Sequence, residues 1–97
     1  MKSLRMFSFA VGVIAMLGAG AAEAAYYRVC WPSLGVYDGP GTHHNKITSI
    51  YNASGDFIET DSSVFWANND YWVRGWAYTY TTRNWYYGYV RWNGLCH

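Results

Sequence analysis

Two aromatic-rich stretches near the C-terminus constrain this chain more than any other feature. The first reads Tyr71-Trp72-Val73-Arg74-Gly75-Trp76-Ala77-Tyr78-Thr79-Tyr80, and the second Trp85-Tyr86-Tyr87-Gly88-Tyr89-Val90-Arg91-Trp92. Side chains of a strand alternate between its two faces, so only one face can enter a core. Here both faces carry large rings. Aromatic residues make up 21% of the 97 positions, more than a small domain can bury. Clustered exposed rings mark a binding surface.

Thr81-Thr82-Arg83-Asn84 joins the two stretches as a hairpin. If Val73 and Val90 face inward, then Gly75, Ala77 and Tyr86 share their side. Trp72, Arg74, Trp76, Tyr78 and Tyr80 then face outward, opposite Trp85, Tyr87, Tyr89 and Arg91. One reading of these rings is an aromatic ladder that stiffens the hairpin. The other is a flat platform for sugar rings or extended peptide.

The N-terminus has the form of a targeting segment. Lys2 and Arg5 precede an apolar run from Phe7 to Leu17, and Ala22-Glu23-Ala24 places small residues where a signal peptidase reads. Residues 1–24 therefore read as a cleaved signal peptide and 25–97 as one small domain, secreted or periplasmic. The apolar run is too short for a membrane anchor, so no membrane insertion is expected after cleavage. In the mature part Arg28, Lys46, Arg74, Arg83 and Arg91 balance Asp38, Asp56, Glu59, Asp61 and Asp70. With no cationic excess, nucleic acid is not an expected partner. Cys30 and Cys96 stand near the two ends of the mature chain, and outside the cytoplasm they are expected to pair.

Apolar residues alternate or come in short runs between frequent breakers, so the expected class is all-β. Tyr26–Trp31 is predicted as a strand ended by Pro32, and Leu34–Tyr37 as a short extended piece. Asp38-Gly39-Pro40-Gly41-Thr42 is a dense turn signal. Lys46–Tyr51 is predicted as a strand with Ile47 and Ile50 inward. Asp56–Thr60 is another, with Phe57 and Ile58 on opposite faces. Asp61–Asp70 reads as a loop interrupted by Val64-Phe65-Trp66. Several short strands in a small secreted domain imply a closed or nearly closed β-barrel.

Several of these residues resemble bacterial SH3 (SH3b) domains. Leu34-Gly35-Val36-Tyr37-Asp38-Gly39-Pro40-Gly41-Thr42 resembles the opening motif, in which a short apolar strand runs into Gly-Pro-Gly/Ser-Thr. Gly55-Asp56-Phe57-Ile58 and Tyr71-Trp72-Val73 resemble later strands, and Gly88-Tyr89-Val90 with Trp92-Asn93-Gly94-Leu95 resembles the closing segment. The resemblance covers nearly all of residues 25–97. It implies a small SH3-like β-barrel, here closed by one disulfide, that binds cell-wall peptides or other peptides. By the same resemblance Tyr37 and Asp38 border the ligand groove.

The expected activity is binding of a cell-envelope polymer or peptide, peptidoglycan-like in chemistry, through the outward rings. The candidate contacts are Tyr37, Trp72, Arg74, Trp76, Tyr78, Trp85 and Tyr87, with Arg74 or Arg91 offering a charged hydrogen bond to a carboxylate. Two other readings use the same rings: a secreted inhibitor or effector that grips a protein partner, and a structural stapled barrel that self-associates. No cofactor or metal is expected, because adjacent His43 and His44 point apart on an extended chain and no carboxylate or thiol cluster joins them. No catalytic constellation stands out, and Asp56, Glu59, Asp61 and Asp70 read as solubilising residues at loop borders.

Overall fold

The computed structural model describes residues 24–97; the expected signal sequence lies almost wholly outside them. The chain forms β1 (Ala25–Arg28), β2 (Ser33–Tyr37), β3 (Lys46–Tyr51), β4 (Phe57–Thr60), β5 (Phe65–Ala67), β6 (Asp70–Thr79) and β7 (Asn84–Arg91), then a 3-10 turn at Trp92–Gly94. All seven strands join one antiparallel sheet, in the order β1-β4-β6-β7-β2-β3, with β5 paired to β6.

The β6–β7 hairpin is the spine of the sheet. It runs in unbroken register from Trp72 opposite Arg91 to Thr79 opposite Asn84. Its loop closes where the Arg83 N–H donates to the Thr79 carbonyl at 2.8 Å, with Arg83 in the left-handed region at φ 58°. Val73, Ala77 and Val90 point inward as alternation requires, and pack with Val29, Leu34, Val36, Ile50, Ile58 and Leu95 as one buried cluster. Gly75 and Gly88 face each other at the middle of the hairpin. A Cβ on Gly75 would collide with the β4 backbone at Glu59 and Thr60, and one on Gly88 with the Tyr37 carbonyl of β2. These two positions let β4 and β2 approach closely enough to wrap the sheet around its core.

The sheet is not closed into a barrel, contrary to the expectation from strand spacing. β1 and β3 end the pairing path without pairing to each other. The cause lies in residues 29–31, whose backbone bonds go to the C-terminal segment. Cys30 N–H and Trp31 N–H both donate to the Gly94 carbonyl, at 2.9 and 3.3 Å, and Cys96 N–H donates to the Arg28 carbonyl at 2.8 Å. Val29 bridges to Leu95. Pro32, which has no N–H, then separates this segment from β2. An isolated bond crosses the seam, the Asn52 side-chain amide donating to the Val29 carbonyl at 2.8 Å, while the Val29 N–H extends the β1–β4 ladder to the Asp56 carbonyl at 3.4 Å. The Cys30–Cys96 disulfide forms as expected, with Cα atoms 4.9 Å apart.

Two local expectations change. Ile50 is buried but Ile47 is exposed. They stand three apart, so a period of two places them on opposite faces, and a bulge shifts the register where Tyr37 meets Lys46. Residues 65–67, expected as a break in a loop, form β5. Asn68 and Asn69 both take positive φ, 51° and 63°, which suits a two-residue hairpin turn into β6.

Candidate binding face

Opposite the core, the sheet presents the alternate residues of its strands. At one end Tyr26 stacks on Phe57 (centroids 5.4 Å, planes 22° apart), and Phe57 touches Tyr78 and the edge of Trp85, each at 5.7 Å. Tyr78 packs against Trp85 at 4.9 Å and edge-on to Tyr80 at 4.8 Å. Next along the hairpin, Trp76 and Tyr87 meet at 5.0 Å. These are register partners, as are Tyr78 and Trp85. Tyr26, Tyr80 and Tyr87 keep 54%, 53% and 38% of their surface exposed.

Asp61 organises the middle of this face. Its carboxylate accepts from Arg74 Nε at 2.9 Å and from the Tyr87 hydroxyl at 2.7 Å. The Arg74 guanidinium also lies 6.0 Å from the Tyr87 ring centroid. The hydrogen bond to Asp61 raises Arg74 above its ordinary pKa. Burial, then the proton Tyr87 donates to Asp61, pushes that phenol up to about 12. Arg74, expected to be available for a ligand carboxylate, already holds one. It positions Tyr87.

Beyond Arg74 the face is covered. Trp72, expected outward and in contact with ligand, is 1% exposed. It does lie on the outer side by alternation, but β5 pairs beside it, its indole N–H donates to the Ala67 carbonyl at 2.8 Å, and the Tyr37 ring meets it edge-on at 6.1 Å. Phe65 of β5 meets Tyr89 edge-on at the same distance. Trp72 therefore anchors the β5 hairpin, and Tyr37 belongs to this closed end. Of the sequence-derived contacts, Trp76, Tyr78, Trp85 and Tyr87 come together; Tyr37 and Trp72 form a separate pair.

Three rings of the open end come from outside the sequence-derived contact set. Tyr26 and Phe57 arrive on β1 and β4, and Tyr80 from the hairpin loop. Phe57 was legible as the residue alternating with the buried Ile58, whereas its meeting with Trp85 needs the order of the strands. A second exposed ring pair, Trp66 against Tyr71 at 4.8 Å, lies on the opposite side of the β5–β6 hairpin.

The carboxylates expected to be solubilising are structural. Asp56 and Glu59 are 0% and 1% exposed, and Asp61 and Asp70 pair with Arg74 and Arg91. Among the described residues no three His, Cys, Asp or Glu gather to hold a metal ion. The rings of His43 and His44, expected to point apart, meet at 4.3 Å with their planes tilted by 38°, because they sit in a turn rather than on an extended strand. Asp38 closes that turn by accepting the Asn45 N–H at 3.2 Å.

Comparison with protein-family models, curated proteins and solved structures gave no match. Fold and face together define a small disulfide-linked antiparallel β-domain with an open aromatic surface.

Proposed function

We propose that this domain is a secreted or periplasmic binding module of SH3b-like type, which holds a cell-wall glycan or peptide on the outer face of its hairpin. The observation that carries the reading is the run of rings on the outer face, with Tyr26, Phe57, Tyr78 and Trp85 packed one on another and the Trp76–Tyr87 pair at the next outward positions of the hairpin. Neighbouring rings set at differing tilts offer several stacking positions to a polymer of sugar or peptide units, and their mutual packing fixes them before the ligand arrives. The hydroxyl of Tyr87 and the guanidinium of Arg74 are both held by Asp61, which fixes the Tyr87 ring in the stack. The N-terminal leader pattern and the disulfide support an extracytoplasmic setting. The Gly-Pro-Gly-Thr turn and the closing Gly88-Tyr89-Val90 support the SH3b-like assignment.

Retention on insoluble peptidoglycan tests the function. The oxidised domain should sediment with the polymer. The Tyr80→Ala, Tyr87→Ala double variant should lose about tenfold or more in affinity, because both rings are exposed contacts. Retention that is unaffected by the double variant sinks the reading. The exposed Trp66 and Tyr71 favour a second one, a protein partner gripped by the β5–β6 hairpin, for which Trp66→Ala is the sensitive variant.

A further inference from the structure

The closed end of the outer face borders an open cleft of about 210 Å³, walled by Trp31, Gly35, Tyr37, Lys46 and Arg91. Gly35 makes room for it. A Cβ there would strike the Tyr37 ring and hydroxyl, so the phenol lies across bare backbone. Arg91 stands 5.8 Å from the Trp31 ring centroid, which holds the guanidinium against an apolar wall.

The charges in this cleft are not closed off. Among the described residues Lys46 has no carboxylate within ion-pair distance. Arg91 Nε lies 3.4 Å from Asp70 Oδ2, yet that nitrogen is buried and has no hydrogen-bond partner. The Arg91 side chain as a whole is 37% exposed, so its guanidinium still faces an incoming anion. Lys46 and Arg91 against Asp70 leave one net positive charge. That balance suits a monoanion better than a phosphate dianion. The two ring walls suit a charged group carried on a carbon skeleton.

We propose that this cleft binds a carboxylate of the ligand that the aromatic face holds, with Lys46 and Arg91 as its ion-pair partners and Trp31 and Tyr37 flanking the attached carbon atoms. The proposal rests on the polymer-binding reading for the ligand's identity, but the cleft can be tested separately. Both ends of the track lie on one strand, β7, from Trp85 to Arg91. Six strand steps span about 20 Å, the distance an extended oligomer must bridge, passing over the Phe65–Tyr89 contact, to stack on the rings and place an acidic group in the cleft.

The test is amide and indole chemical-shift mapping of the oxidised domain. The probes are glucuronate and an N-acetylated amino acid, with glucose and the amidated amino acid as neutral counterparts and inorganic phosphate as a third arm. Saturable shifts at the Trp31 indole and the Gly35 amide are expected for the carboxylates and not for the neutral probes. Lys46→Gln should weaken them about tenfold, the worth of one charged hydrogen bond, with an unchanged melting temperature. Stronger binding of glucuronate than of the amino acid assigns the carboxylate to a sugar, and the reverse order to a peptide. Equal shifts from charged and neutral probes, tighter binding of phosphate, or indifference to Lys46→Gln each overturn the proposal. The Trp76 and Trp85 indoles, titrated with a neutral oligosaccharide, report the ring platform independently, so failure of one site is distinguishable from failure of the other.

Discussion

Replacing Asp56 by Ala should be the most damaging single truncation of a charged residue in this domain. Asp56 is fully buried, yet its carboxylate lies between two backbone donors from distant segments. Oδ2 accepts the Tyr51 N–H at 2.9 Å and Oδ1 the Tyr80 N–H at 3.0 Å. Its own N–H donates to the Tyr51 carbonyl at 3.2 Å. The side chain thus clamps the end of β3 to the end of β6. Hydrogen bonds to a charged group contribute roughly 1.5–3 kcal/mol each. Alanine also removes the cost of burying the charge, so the net loss is about 3 kcal/mol. In a domain of this length each kcal/mol moves the melting temperature by about 4–8 °C, giving a fall of roughly 12–24 °C. Asp56→Asn offers a single acceptor oxygen and should recover at most one of the two bonds. Near-UV circular dichroism melts of the oxidised protein at neutral pH measure both variants. An alanine variant that melts within about 3 °C of wild type, equivalent to well under 1 kcal/mol, would show that the clamp does not hold the sheet.

Gly75→Ala should destabilise by about 3 kcal/mol, because the new Cβ meets backbone that cannot rotate away. Gly55→Ala should cost only about 1 kcal/mol, since φ of 77° is its sole obstacle and the site is open; chemical denaturation compares the two. Replacing Cys30 and Cys96 by Ser opens a loop spanning 66 residues and should cost about 4 kcal/mol in the chain-entropy model, again read by denaturation. The folded state raises the Tyr87 phenol from 10.0 to about 12. It therefore favours the neutral form, and the stabilisation this brings is complete below pH 10 and disappears as pH rises from 10 to 12. Ultraviolet titration should show a late-ionising tyrosine that Tyr87→Phe removes.

The spine of the fold was legible because it depends on local periodicity. Val73, Ala77 and Val90 alternate with rings, and the loop between Thr79 and Asn84 carries turn residues. Trp76, Tyr78, Trp85 and Tyr87 followed from the same count. The period was also enough to separate Ile47 from Ile50, and the inward assignment of both ignored it. Other features depend on partners far along the chain. Trp72 lies on the predicted face, but its burial requires β5, a three-residue strand too short to show alternation. Asp56 and Glu59 look like loop-border acids until the strand order places donors or rings around them. The open seam likewise arises from the pairing of residues 29–31 with the C-terminal segment, which no local pattern encodes.

We place the ligand on the outer rings and not on the Trp66–Tyr71 pair across the hairpin. The most direct measurement is an intrinsic tryptophan fluorescence titration with soluble peptidoglycan fragments. Wild type is compared with the Tyr80→Ala, Tyr87→Ala double variant and with Trp66→Ala. A saturable spectral shift is expected in wild type and in Trp66→Ala, weakened about tenfold or more in the double variant. A shift that survives the double variant and vanishes with Trp66→Ala would place the ligand on the other side of the sheet.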